Sequence, residues 1–388
     1  MNYIQQAYKG LHNRWRYLLG TLIIIGFVTA GQIPFTVAAF FEANKQGLKL
    51  TEMDESTMMG VLESNLSLFL MLLSFAIGLV GILIVSKWLH KQTFTELTTA
   101  RKKINWKRFW VIFFGWGILS SGLVLLDYYM YPENYVWNFN LNKFLILSLI
   151  AIIMVPLQTS CEEYLFRGYL MQGIGLSTRD NNFAFTLLYI TISILVYVLL
   201  NQYFGMGALV SWLYFLVLTL VLVLMLNIDA LQKLISVDND HFLFKIFNRK
   251  STPLIITSVI FGMLHIANPE VEKLGYVLMI YYIGTGFFLG IMTLMDEGLE
   301  LALGFHAANN LFTALLVTAD WTVFQTYSVL KDTSDPTNAA IEDIIIPVFV
   351  MFPIILLILA KVYGWKNWKD KLFGRVEEPP EENYKIIE

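Results

Sequence analysis

Long runs without charge decide what this chain can fold into. Segments 66–85, 144–157, 183–200 and 209–226 contain no charged residue, and a helix needs about 20 predominantly apolar residues to cross a bilayer. The whole chain is 56% hydrophobic and 15% charged, with a mean hydropathy of +0.59. An average soluble domain is about 45–50% apolar and about 25% charged. The expected fold is therefore all-α, a polytopic transmembrane bundle of about ten spans. These lie near 17–41, 66–86, 109–127, 143–174, 183–201, 207–227, 252–268, 275–295, 300–319 and 343–362. The fourth exceeds what a bilayer requires, which implies a tilted or broken helix. The seventh is short and ends at Asn268-Pro269, because proline disfavours helix in the residue before it.

Lysine and arginine suggest an orientation, since they are enriched in cytoplasmic loops. They fill the N-terminus (Lys9, Arg14, Arg16), the loop from Lys87 to Arg108, Arg179, the stretch from Lys233 to Lys250, and the tail from Lys366 to Lys385. These are alternate loops, so a ten-span chain has both termini in the cytoplasm. The loop between spans eight and nine belongs to the same set but has no basic residue. The expected location is the plasma or inner membrane, multi-pass. The run 17–41 is too long for a signal peptide and reads as a retained first helix. No basic nucleic-acid patch occurs, so the expected partners are the lipid bilayer and a substrate, with no nucleic acid. Cys161 is the single cysteine and cannot form an internal disulfide. The stretch Glu377-Glu378-Pro379-Pro380-Glu381-Glu382 reads as a disordered acidic tail.

An ionisable side chain near mid-bilayer costs roughly 2.5–3.5 kcal/mol on insertion scales, so it usually faces the protein interior and has a function. Few such residues lie inside the spans. Span four carries Glu162, Glu163 and Arg167. Span seven carries His265, one turn after Phe261. Span nine carries His306, Asn309 and Asn310. Glu163 and Arg167 are four residues apart and can pair, which leaves Glu162, about 100° round the helix, free for chemistry. The ring of Phe261 can hold His265 in one rotamer. His306 and Asn310 share a face and could both donate to one oxygen. Asn309 reads as a helix–helix hydrogen-bonding residue, and Gly286 and Gly290 as close helix packing. At about 1.5 Å per residue from the cytoplasmic ends, Glu162 lies roughly 18 Å deep, His265 roughly 20 Å, and His306 and Asn310 roughly 9 and 15 Å. All can meet in the cytoplasmic half to middle of the membrane.

The sequences Glu162-Glu163-Tyr164-Leu165-Phe166-Arg167, Phe261 through His265 and His306 through Asn310 resemble, in order, the EExxxR, FxxxH and HxxxN motifs of the CPBP family. That family comprises CAAX-protein prenyl proteases and bacteriocin-processing enzymes and is also called Abi. Gly168 and Gly262 look like it too. The resemblance divides the chain into N-terminal helices with a basic loop (1–142), a CPBP-like core (143–319), and a last helix with a tail (320–388). A helix pair near 183–227 reads as an insertion into the core. The resemblance implies an intramembrane endopeptidase cleaving a membrane-associated peptide or protein. Its catalytic residues would be Glu162, Glu163, His265, His306 and Asn310, supported by Arg167, Phe261 and Asn309. Glu162 and His265 would activate water, and His306 and Asn310 would stabilise the oxyanion. The family is often described as metalloproteases. Zinc is then the candidate cofactor, with Glu162, His265 and His306 as its ligands, although no HExxH helix occurs. The alternatives are a non-catalytic membrane scaffold or bacteriocin-immunity partner, and a proton-coupled transporter. The latter is disfavoured by the lack of repeat-related broken helices.

Overall fold

The computed structural model describes residues 1–48, 55–338 and 340–383. Its principal helices are α1 (Arg14–Lys45), α2 (Ser64–Ile84), α3 (Trp106–Met130), α4 (Leu141–Glu163), α5 (Met171–Ser177), α6 (Phe183–Phe204), α7 (Ala208–Asn227), α8 (Ser251–Met263), α9 (Met279–Asp296), α10 (Glu300–Leu316) and α11 (Phe352–Tyr363). A π-helical segment, Tyr164–Leu170, joins α4 to α5, so the fourth span runs unbroken over the 37 residues Leu141–Ser177.

All ten expected segments are helical, but fewer qualify as full spans. Among the described residues, seven helices are long and apolar enough to cross a membrane. An eighth is added if the pair Leu213–Asn227 and Asp229–Ile235, bent by 96°, counts as one. Two expected spans fall short. Helix α8 stops at Met263 after 13 residues, because Pro269 holds Asn268 extended (φ −71°, ψ 143°) and the residues between close as turns. Helix α10 stops at Leu316 after 17 residues, where Val317 turns extended. Every residue of α10 from Glu300 to Ala308 is buried. Enclosed by protein, it does not need the length or apolarity that lipid contact would impose.

Helix α10 lies against α3 on one side and α4 on the other, α1 packs on α2, α2 on α4, and α8 on α9. The main core joins Leu147, Ala151, Phe288, Phe305, Ala308 and Phe352. Glycines set the tightest approach. A Cβ at Gly286 would lie 2.7 Å from the carbonyl oxygen of Ser258, and one at Gly262 would lie 2.8 Å from the backbone of Ile283. Backbone cannot yield there as a side chain could. Gly262→Val is therefore expected to separate α8 from α9 and to cost about 1–3 kcal/mol or more. Thermal unfolding in detergent would show it as a lowered midpoint.

The segments that alternate as basic loops share one end of the bundle. Gln5 Nε2 donates to Glu377 O (2.9 Å), Arg14 pairs with Asp180, and Lys250 pairs with Asp370 (3.4 Å). The loop between α9 and α10, which lacks a basic residue, supplies the acids for its neighbours. Asp296 receives Arg101 (2.8 Å), Arg108 and Trp365 Nε1 (3.1 Å). Glu300 receives Arg101 (3.0 Å) and the Asn105 N–H (3.0 Å). Glu297 receives Lys371 (3.2 Å) and the Tyr3 N–H (2.6 Å). The opposite end carries a small sheet of Tyr135–Trp137, Leu330–Asp332 and Val317–Thr318.

His90, inside the basic stretch from Lys87 to Arg108, is buried at the basic end. Its Nδ1 faces the carbonyl of Leu11 (2.7 Å) and its Nε2 the hydroxyl of Tyr169 (2.9 Å). Burial pushes the imidazole down to about 4. A histidine lowered on folding stays neutral in the native state while the unfolded chain takes up a proton. Its stabilisation is complete above about pH 6.5 and is lost as pH falls toward 4. His90→Gln should flatten that part of the melting-temperature profile between pH 7 and pH 4.5.

Helices α6 and α7 form a hairpin closed at Gly205 (φ +58°). Tyr189 donates to Leu218 O (2.9 Å), and Tyr214 to Ser193 O (2.8 Å). Beyond the first turn of α6 their side chains are largely exposed, as lipid-facing residues would be.

Candidate active site

The site begins where α4 gives way to the π-helical segment. Extra-wide turns of this kind are frequent at functional positions. Here the turn follows directly after Glu162 and Glu163, both buried. Arg167 is fully buried. Its NH1 donates to Glu163 Oε1 (2.9 Å), its NH2 donates to Gly286 O (3.2 Å), and its guanidinium lies 4.2 Å from the centre of the Phe261 ring. The close approach of α9 that Gly286 allows is what brings that carbonyl within reach of the arginine.

Phe261 is the hub of the site. Its ring also meets His265, at 4.9 Å between ring centres, Phe166, edge-on at 5.5 Å, and His306, edge-on at 6.1 Å. His265 sits in the turn beyond α8. Its Nδ1 is 2.8 Å from the carbonyl of Phe261. A carbonyl only accepts, so Nδ1 carries the proton and Nε2 keeps its lone pair while the ring is neutral. The ring stacks on Tyr282, with centres 4.4 Å apart and planes at 21°.

His306 stands between the two carboxylates. Nδ1 donates to Glu163 Oε1 (2.9 Å), and Nε2 lies 3.5 Å from Glu162 Oε2. The other oxygen of Glu162 accepts from Gln158 Nε2 (2.7 Å). Gln158 Oε1 accepts from Asn310 Nδ2 (3.2 Å), Asn310 Oδ1 accepts from Asn309 Nδ2 (3.2 Å), and Asn309 Oδ1 accepts from the indole N–H of Trp116 (3.2 Å). Oε2 of Glu162 and Oε2 of Glu163 are buried with no hydrogen-bond partner.

The eight residues singled out from sequence thus lie in one connected cluster. His306 Nδ1 is taken by Glu163 and one Nδ2 hydrogen of Asn310 by Gln158, which leaves His306 Nε2 and the second Asn310 amide hydrogen for the shared oxygen that the sequence suggested. Helices α4 and α10 run antiparallel, so four residues forward on α10 match five residues back on α4, about 6 and 7.5 Å at the helical rise. Gln158, Trp116 and Tyr282 were missed. Gln158 left a signal, as a polar residue one turn before Glu162 in an apolar helix. Trp116 and Tyr282 left none among so many aromatics.

A zinc site does not fit this arrangement. Among the described residues, no three His, Cys, Asp or Glu side chains gather closely enough to hold a metal. Both nitrogens of His306 face carboxylates, and His265 spends Nδ1 on a carbonyl.

Residues 241–312, which include the helices of His265 and His306, match the family described as type II CAAX prenyl endopeptidase Rce1-like. The match begins after the Glu162–Arg167 motif. The uncharacterized protein YyaK of Bacillus subtilis (strain 168) is 24% identical over 328 residues, covering 84% of this chain and 85% of its own length. No solved structure matches the chain. The FxxxH and HxxxN motifs lie inside the matched stretch and the EExxxR helix is bonded to the HxxxN helix in space, so the chain is similar to the CPBP family of CAAX-type membrane endopeptidases in both sequence and arrangement.

Proposed function

We propose that this protein is an intramembrane endopeptidase that hydrolyses a membrane-associated peptide or membrane protein with water activated by Glu162 and His265. The observation that carries the reading is the bare oxygen of Glu162. Oε2 is buried and unpartnered, facing the 3.5 Å gap to His306 Nε2. A carboxylate oxygen without a donor inside a membrane protein is costly unless function requires it.

The chemistry then balances as follows. Water loses one proton to Glu162 Oε2, while His265 Nε2 accepts its second hydrogen as a hydrogen bond. The oxygen so activated attacks the peptide carbonyl. The oxyanion that forms is met by His306 as the imidazolium, its Nδ1–H held by Glu163 and its Nε2–H free to donate, and by the second amide hydrogen of Asn310. Glu162 returns its proton to the leaving nitrogen as the C–N bond breaks. A positioned base and preorganised donors are the two requirements of this reaction. Arg167 neutralises Glu163 and holds Phe261, and so keeps both histidines in register. The lipid bilayer is the medium, and no nucleic acid takes part.

The test is comparative membrane proteomics of cells carrying the wild type and Glu162→Ala. Accumulation of an uncut membrane protein in the variant supports hydrolysis, while identical profiles favour a non-catalytic scaffold. We further propose that the basic end of the bundle faces the cytoplasm of a plasma or inner membrane, with the helix pair at 183–227 an insertion into the 143–319 core. Alkaline phosphatase fused after Lys9 or after Arg375 should be inactive, and fused within 321–342 active. An active C-terminal fusion would overturn the orientation.

A further inference from the structure

The polar chain from Trp116 to Glu162 has only one consistent direction. An ionised carboxylate accepts and cannot donate. Gln158 must therefore turn its NH2 toward Glu162 Oε1, which leaves its carbonyl oxygen toward α10. Asn310 must then offer an N–H to that oxygen, and its own oxygen can only accept, from Asn309. Asn309 in turn presents its oxygen to the indole N–H of Trp116, which only donates. Each of these contacts is present, at 2.7, 3.2, 3.2 and 3.2 Å. Gln158 is 5% exposed and Trp116 6% exposed, and Asn309 and Asn310 between them are half-buried, so both ends of the chain are shielded from water. The four amide and indole groups are set by one charge at one end.

We infer that Gln158 is a positioning residue that fixes which oxygen of Glu162 takes the proton and locks that base to the Asn310 donor. The inference rests on the hydrolytic reading above. With Oε1 held by the Gln158 amide, the proton leaving water arrives at Oε2, the oxygen that faces His306. The same amide holds one hydrogen of Asn310 and thereby directs the second. Base and oxyanion donor sit on different helices, α4 and α10, and Gln158 is the side chain that bonds to both. Movement of one helix against the other would disturb both halves of the reaction together.

The experiment uses purified full-length protein in detergent and an internally quenched CAAX peptide, with and without a prenyl group on its cysteine. Gln158→Met removes both hydrogen bonds at nearly constant volume. It should lower kcat about 10- to 100-fold with KM changed less than about 2-fold, and leave the melting midpoint within a few degrees. Gln158→Glu gives the signature that packing alone cannot. Its protonated carboxyl can donate to Glu162 and accept from Asn310, as the amide does, whereas its ionised form can only accept. Activity of this variant should fall with rising pH over a range where the wild type is level. Wild-type kcat in Gln158→Met, or a wild-type pH profile in Gln158→Glu, overturns the inference while leaving hydrolysis intact. If the peptide is cleaved equally by wild type and Glu162→Gln, or by neither, a stability cycle of Gln158→Met with Asn310→Ala decides the coupling. A double variant melting no lower than the worse single supports the link, and the full sum of both shifts overturns it.

Discussion

Arg167→Ala should fail to fold, or fold with a large loss of stability, whatever its effect on chemistry. The guanidinium is fully buried and makes three separate contacts, with Glu163, with the carbonyl of Gly286 and with the face of Phe261. Removing one partner of a buried pair leaves the other charge uncompensated and costs roughly 3–5 kcal/mol, a large share of the about 5–15 kcal/mol that holds a typical domain together. Arg167→Lys should recover only part of this, because an ammonium cannot donate in two directions in one plane while lying on an aromatic face. The diagnostic variant is the double exchange Glu163→Gln with Arg167→Met. It removes both charges and should melt well above Arg167→Ala. A double variant as unstable as the single would mean that packing, and not the uncompensated carboxylate, is the cost. Yield and melting midpoint in detergent read out both.

Glu162→Gln should do the reverse, leaving the fold unchanged and the activity gone. The amide keeps the shape of the carboxylate. Its oxygen can still accept from Gln158, and with the carboxylate charge gone His306 can rest as the neutral Nδ1–H imidazole, whose bare Nε2 can accept from the new NH2 across the gap that Oε2 faces without a partner. No buried charge is left behind, so the melting midpoint should stay within a few degrees of the wild type. The variant cannot take a proton from water near neutral pH. Loss of a positioned general base costs about 10²–10⁴ in rate, which would bring a slow intramembrane hydrolysis to background. Arg167→Ala and Glu162→Gln therefore separate the two carboxylates of one motif, Glu163 acting through stability and Glu162 through chemistry.

Much of this was legible in the chain because the two strongest signals are local. Charge-free runs mark helices wherever they stand, and all ten expected segments are helical. Ionisable residues inside such runs are expensive, so they identify themselves as Glu162, Glu163, Arg167, His265 and His306. Patterns four residues apart also translate directly, as with Glu163 to Arg167 and Phe261 to His265. The relations between helices were not legible. Hydropathy cannot tell that α10 is sheathed by protein, which is why a 17-residue helix with three polar residues in five positions was taken for a full span. The pairing of Gln158 with Asn310 depends on the antiparallel register of α4 and α10. The stacking of Tyr282 on His265 depends on how far Gly262 and Gly286 let α9 approach α8. The acids of the 296–300 loop looked like an exception to the basic-loop pattern until their cations proved to come from Arg101, Arg108 and Lys371, which are distant in sequence.

The central claim is that Glu162 makes water the nucleophile within the bilayer. It is tested most directly by cleaving the membrane protein that accumulates in Glu162→Ala cells with purified enzyme in water labelled with oxygen-18. The expected result is that wild-type enzyme releases a fragment whose new C-terminal carboxylate carries one labelled oxygen, while equally folded Glu162→Gln releases none. Labelled fragment from Glu162→Gln at the wild-type rate would contradict the account.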